Sequence, residues 1–150
     1  DVTGASPMEG FTRQLLSVIA KPGSVVVWNQ GFEGARLREL AERYPEHADA
    51  LLAIVENMVD LLPIYRAHYY HRDMRGSWSI KSVLPTIAPD LDYGDLEVSG
   101  GGEAQEAYLK ASRPETSNED REHLRQGLLR YCERDTWAMV RLARAFSTKS

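Results

Sequence analysis

Val25-Val26-Val27-Trp28-Asn29-Gln30-Gly31-Phe32-Glu33 is the stretch on which the fold turns. Three β-branched residues followed by tryptophan, with no polar alternation, read as a strand over residues 24–28, buried on both faces as in a parallel sheet. Asn29-Gln30-Gly31 makes the turn, and residues 33–44 read as a helix with Leu37, Leu40, Ala41 and Tyr44 inward. Phe32 is expected to anchor the turn in the core, with Glu33 pointing outward. Asn29 and Glu33 suit a helix start, one as a cap and the other complementing the dipole. They also stand beyond the carboxyl end of a strand, which is where open α/β sheets bind ligands.

Working outward, Ser6-Pro7-Met8-Glu9 has the pattern of a capped helix start, and Met8, Phe11, Leu15 and Val18 or Ile19 recur at helical spacing before Pro22-Gly23. Pro45 separates the next helix, with Ala48, Leu51, Leu52, Val55 and Met58 inward. Residues 58–62 either prolong that helix or form a short strand, because periodicity does not distinguish the two over so few residues. As a strand they would pair with 24–28 in a parallel, right-handed β-α-β crossover. A short helix over 79–84 ends at Pro85, another spans about 103–111, and Ser117-Asn118-Glu119-Asp120 caps a last helix reaching about Phe146. No internal repeat and no domain boundary is legible.

The 150 residues are 43% hydrophobic and 27% charged, with a net charge of −4. This balance excludes disordered and collagen-like chains and predicts a soluble globular domain. No apolar run approaches the ~18 residues of a membrane span, and the opening residues carry no signal-peptide pattern. With Cys132 the single cysteine, a reducing, cytoplasmic setting is expected. Cys132 lacks a readable catalytic arrangement and is expected to be buried on a helix face.

The last helix carries an anomaly. Its apolar stripe runs Leu124, Leu128, Tyr131, then Met139, Leu142 and Phe146, and the residue completing the spacing is Asp135. A carboxylate in an apolar stripe must be hydrogen-bonded, paired or metal-bound. Either a structural bond to a neighbouring loop or a ligand role satisfies that demand. Tyr131 lies one turn earlier on the same face.

Taken together, strand-Asn-x-x-Phe-acid and a later Tyr-x-x-x-Asp on a helix resemble the second and third motifs of the DEDD exonucleases of tyrosine subtype. These are 3′–5′ exonucleases of the ribonuclease H-like fold, in which four carboxylates hold two divalent metals. The resemblance implies Glu33 and Asp135 as metal ligands, Tyr131 as the water-orienting catalytic residue, and Asn29 and Asp60 in support. Glutamate stands where that family has aspartate at the second motif, lengthening the reach. The stretches VVVWNQGFEGARLREL, MVDLLPIY, GSWSIKSVLP and YCERDTWAMVRL are more similar still to one bacterial family of unknown function in the same clan, over about residues 6–146.

The fold class implied is α/β: a partial ribonuclease H-like fold, mostly helical here, with one or two parallel strands at about 24–28 and 58–62. The Asp-x-Glu of the first motif does not precede Val25; Asp95-Leu96-Glu97 and Asp120-Arg121-Glu122 have its spelling only. The first strands and two carboxylates are therefore expected upstream, in a longer protein taking Mg²⁺ or Mn²⁺, which this inactive fragment need not bind.

Residues 64–81 interleave Arg66, Arg72, Arg75 and Lys81 with Tyr69, Tyr70 and Trp78, a composition that suits single-stranded nucleic acid as well as core or loop anchors. Residues 86–106, by contrast, carry six acids (Asp90, Asp92, Asp95, Glu97, Glu103, Glu106) and no Lys or Arg. His68-x-x-His71 has metal-like spacing without a third ligand nearby. The alternatives are a catalytically inert nucleic-acid-binding or protein-interaction module of the same fold, and a plain helical domain. An open sheet edge makes homodimerisation a further expectation.

Overall fold

The computed structural model describes residue 2 and residues 6–19, 23–91, 93–94 and 96–146. The expectations placed on Pro22, Asp92 and Asp95 lie outside the described residues. The chain divides into two compact units, Ser6–Tyr70 and a second beginning at His71.

The first unit opens with α1 (Met8–Val18). Its cap position is Pro7 rather than Ser6, and no side chain caps it, because Pro7 already has near-helical angles (φ −78°, ψ −5°). Met8, Leu15, Leu16 and Ile19 pack against the core. Phe11 and Val18, expected inward, are exposed. Their place is taken by Thr12, which is fully buried and whose hydroxyl donates to the Met8 carbonyl at 2.8 Å. That internal bond lets a polar residue complete the 8-12-15-19 stripe.

Next come β1 (Val25–Val27), α2 (Gln30–Arg43), α3 (Ala48–Glu56), β2 (Met58–Asp60) and α4 (Leu61–His68). Residues 58–60 are therefore strand, and β1 and β2 pair in parallel with Val25 opposite Met58, Val26 opposite Val59 and Val27 opposite Asp60. Leu37, Leu40 and Ala41 of α2 meet Leu51, Ile54 and Val55 of α3 in the core. Leu52, expected inward, is exposed; Ile54 completes the 51-54-55 face instead.

The strands are not buried on both faces. Val25 and Met58 face the core, whereas the paired Val26 and Val59 are 39% and 37% exposed. Period-two alternation puts those two valines together on the face away from the helices. Trp28 meets the fully buried Tyr65 in a tilted contact, ring centroids 5.1 Å apart, and Tyr65 meets Tyr69 edge-on at 5.7 Å.

Asp60 joins these pieces. Its Oδ1 accepts from the Leu62 N–H at 2.9 Å, capping α4, and its Oδ2 accepts from the Gln30 N–H at 3.0 Å, in the first turn of α2. The parallel register makes this possible, because it sets Asp60 opposite Val27, just before α2 begins.

The second unit holds α5 (Ile80–Val83), α6 (Gly101–Ala111) and α7 (Asn118–Ala145) among short tight turns. α5 ends at Val83, just ahead of Pro85, which sits in the tighter turn Leu84–Thr86, where its missing N–H costs nothing. Buried alanines on α6, Ala107 and Ala111, keep side-chain bulk low where it packs on α7. Ser117 caps α7 through the Asp120 N–H. Arg141 clasps Asp90 with two bonds of 2.7 and 3.0 Å, tying the turn at residues 89–91 to α7. Phe146, expected inward, is exposed just past the end of α7. No described helix is long and apolar enough to cross a membrane.

Asp60→Ala removes acceptors from two helix starts and is expected to cost about 2–3 kcal/mol in urea unfolding, at roughly 1 kcal/mol or more per lost cap. Asp60→Asn, which keeps one acceptor oxygen, is expected to cost about half as much. Equal stability of all three proteins would remove Asp60 from its bridging role.

Candidate functional site

In the first unit, the candidate site lies at the carboxyl end of the strand pair. Asn29 occupies the cap position of α2 without a side-chain capping bond, and its carbonyl accepts from the Phe32 and Glu33 N–H groups at 2.9 and 3.2 Å. Phe32, expected in the core, is 64% exposed, with the Arg36 guanidinium 5.8 Å above its ring. Glu33, expected to point outward, is half-buried instead. The reason is helical phase: 33, 37, 40 and 44 are one stripe, and Glu33 is its first member.

Glu33 Oε2 is buried and has no hydrogen-bond partner among the described residues. Burial pushes the Glu33 carboxyl above its ordinary range, and the Asp60 charge adds to this. Backbone N–H groups of Glu33, Asn29 and Trp28 offset part of the rise. The Asp60 carboxylate is fully used in holding helices, whereas its neighbour Glu33 has a spare buried oxygen.

In the second unit, Asp135 lies half-buried on α7 and accepts a 2.5 Å hydrogen bond on Oδ1 from the hydroxyl of the buried Tyr93. Tyr131 is on the same helix face, its ring 6.3 Å from that of Tyr93. Lys81 Nζ lies 5.2 Å from the Tyr93 ring and 5.6 Å from the Tyr131 ring, and it donates to the Ser99 carbonyl. Burial, reinforced by the Asp135 carboxylate, pushes the Tyr131 phenol up to about 12 and raises Tyr93 as well. Tyr93 as the partner of Asp135, and Lys81 beside the two tyrosine rings, were not legible. The only hint was an isolated aromatic within the acidic 86–106 segment.

The basic-aromatic segment is divided between the units, Arg66, Tyr69 and Tyr70 in the first and Arg72, Arg75, Trp78 and Lys81 in the second. Tyr69 is held in the aromatic stack on Tyr65, whereas Arg66, Tyr70, Arg72 and Arg75 are exposed and Trp78 is half-buried. His68 ends α4, and His71 Nδ1 accepts from the Asp73 N–H at 3.3 Å. Among the described residues no group of three or more His, Cys, Asp or Glu is arranged around a common point for a metal ion. Cys132, expected buried, is exposed, because its position on α7 falls beside the 131-135 stripe and not on it. Its thiol is raised by partial burial and by Asp135.

A family model described as a domain of unknown function, DUF2779, matches residues 1–79. The chain belongs to that family. The matched range takes in the β1–α2 junction, β2, Glu33 and Asp60. Among relatives, uncharacterized protein MG366 of Mycoplasma genitalium is 30% identical over 129 residues, covering 78% of this chain and 19% of the relative. Uncharacterized protein UU173 of Ureaplasma parvum is 29% identical over 134 residues, with the same coverage of 78% and 19%. The chain therefore spans about a fifth of the length of the curated relatives it matches. No solved structure matches it.

Two measurements follow from the titrating groups. An acid whose folded pKa is raised stabilises the fold below its unfolded value, and that stability is lost as pH climbs through the folded value. Glu33, raised from 4.5, therefore weakens the fold as pH rises above about 4.5. Glu33→Gln is expected to remove this slope and raise the melting temperature at pH 7 by on the order of 2–4 °C; a lower melting temperature would contradict the strained-carboxylate assignment. Tyr65 and Tyr131, both raised from 10.0 to about 12, make the fold lose stability from pH 10 upward. In an ultraviolet titration their ionisation is expected near pH 12, and Tyr131→Phe is expected to remove one late-titrating group.

Proposed function

We propose that the chain is part of a metal-dependent 3′–5′ exonuclease of the ribonuclease H-like fold, acting on single-stranded DNA or RNA. One observation carries this reading: Glu33 Oε2 is buried without a partner at the carboxyl end of a parallel strand pair. A buried polar atom left unpaired costs roughly 1–3 kcal/mol. Such a cost is explained when the atom is kept for a ligand.

The donor set fits a hard divalent cation such as Mg²⁺ or Mn²⁺, which takes carboxylate oxygens. The resemblance to the exonucleases assigns Glu33 and Asp135 as its ligands. When bound, the cation supplies the positive charge that activates water and stabilises a leaving phosphate oxygen. Asp60 fixes the first turn of α2 and thereby the carboxylate of Glu33. Tyr131, its phenol pushed up to about 12 by burial and by its hydrogen bond to Asp135, keeps its proton at neutral pH, and the resemblance gives it the role of orienting the attacking water. The remaining carboxylates, in an Asp-x-Glu motif, are assigned to an upstream part of the same protein, and this chain alone is inactive.

The Tyr93–Asp135 bond favours a second reading, a catalytically inert nucleic-acid-binding or protein-interaction module of this fold. There Asp135 is a structural residue satisfied by a loop tyrosine.

Hydrolysis of a 3′-labelled single-stranded oligonucleotide separates the two. The complete protein is expected to cleave it with Mg²⁺ or Mn²⁺, and Glu33→Gln to slow cleavage by on the order of 10²-fold, as loss of one charge-stabilising group does. Residues 1–150 alone are expected to leave the substrate intact. Cleavage by the chain alone would overturn the incomplete-site account, and an inert complete protein would favour the module.

A further inference from the structure

The second unit carries an open cleft of about 640 Å³ lined by His71, Asp73, Arg75, Ser77, Lys81 and Ser82, among others. Its size is that of a nucleotide-scale ligand site. The character of its wall follows from hydrogen-bond accounting.

Ser77 Oγ accepts twice, from the Ser79 N–H at 3.3 Å and from the Ser82 hydroxyl at 3.0 Å, so its own proton is left to donate. His71 Nδ1 is taken up by Asp73, 3.3 Å from its N–H and 3.7 Å from its carboxylate, which leaves Nε2 as the ring nitrogen that would meet a ligand. Lys81, whose ammonium donates to the Ser99 carbonyl and lies over the Tyr93 and Tyr131 rings, brings a positive charge to this wall. Arg75 adds a guanidinium from a left-handed backbone position (φ 49°, ψ 35°), followed by Gly76 at φ 80°. An arginine in that conformation is strained by about 1–2 kcal/mol. Asp73, the one acid among the described lining residues, lies 3.5 Å from Arg72 Nε.

We infer that this cleft binds a phosphate group of a single-stranded nucleic acid through Arg75, Ser77, Lys81 and His71. A wall of donors and cations suits an oxyanion and not a metal ion. Ser77 gives a directed hydrogen bond, and Arg75 and Lys81 give the charge. The anion chemistry stands on the cleft itself. The choice of a nucleic-acid strand over a free phosphate rests on the nuclease reading above. Lys81 also touches the rings of Tyr93 and Tyr131, so a phosphate held here would lie one side chain from the Asp135 cluster.

The test is fluorescence anisotropy of a labelled ten-nucleotide oligothymidylate with the chain, in EDTA, across a salt series. Working without metal separates this inference from the nuclease reading, which concerns metal-dependent cleavage. Arg75→Asn keeps a residue tolerant of the left-handed backbone and removes the charge. It is expected to weaken binding about tenfold and lower the log–log salt slope by about 0.7. Ser77→Ala is expected to weaken binding severalfold with the slope unchanged, and Arg75→Lys to restore the slope. Circular dichroism checks that each variant is folded. Competition by thymidine monophosphate or inorganic phosphate, with no oligonucleotide binding and the same dependence on the variants, would keep the anion site and overturn the strand as its ligand. No binding by any of the three probes, or binding indifferent to both Arg75→Asn and Ser77→Ala, would overturn the inference.

Discussion

The Asp60 carboxylate is the constraint on which the first unit depends. Parallel strands cannot be joined by a tight turn, so β1 and β2 need α2 and α3 between them, and their shared end is left with two helix starts side by side. Each start has N–H groups with no partner inside its own helix. Asp60, last residue of β2, supplies one oxygen to each. Asn29, the residue best suited by type to cap α2, makes no side-chain capping bond.

This arrangement sets the electrostatics of the candidate site. An acid committed to two backbone donors stays close to a second acid, Glu33, which helical phase has already turned inward. The outcome is a carboxyl raised above its ordinary range by burial first and by its neighbour second. A fold selected for stability alone would place a neutral side chain there. Asp135 is the counterpart in the second unit. It too completes an apolar stripe, but a tyrosine hydroxyl meets it, so its burial is compensated where that of Glu33 Oε2 is not. Two carboxylates that look equivalent along the chain thus have different standing: one has an unused buried oxygen, the other is already bonded.

The basic-aromatic segment shows how one composition can serve several ends. Tyr69 belongs to an aromatic stack rooted in the buried Tyr65. Lys81 is drawn against two tyrosine rings, and Arg75 stands in a strained turn at the edge of an open cleft. Alternating aromatics and cations therefore did not form one uniform binding strip. They were distributed between packing and surface according to the helix or turn each residue happened to fall in.

The amino-acid sequence by itself determined the elements whose signals are local. Three valines and a tryptophan specify a strand, Ser117 and Asp120 specify the start of the last helix, and helical spacing singles out Asp135 as a carboxylate in an apolar stripe. Membership in a family of unknown function was legible in VVVWNQGFEGARLREL and MVDLLPIY, which the match over residues 1–79 covers. Tertiary structure alone decided what depends on residues far apart in the chain. Whether 58–60 is strand or helix was settled by pairing with β1, because three residues have no period of their own. The inward turn of Glu33 and the outward turn of Phe32 followed from which face of α2 meets α3. The partners of Asp60 and Asp135, Gln30 and Tyr93, stand 30 and 42 residues away. No local pattern encodes such bonds; they exist because packing brings a donor to an acceptor that could not stay buried without one.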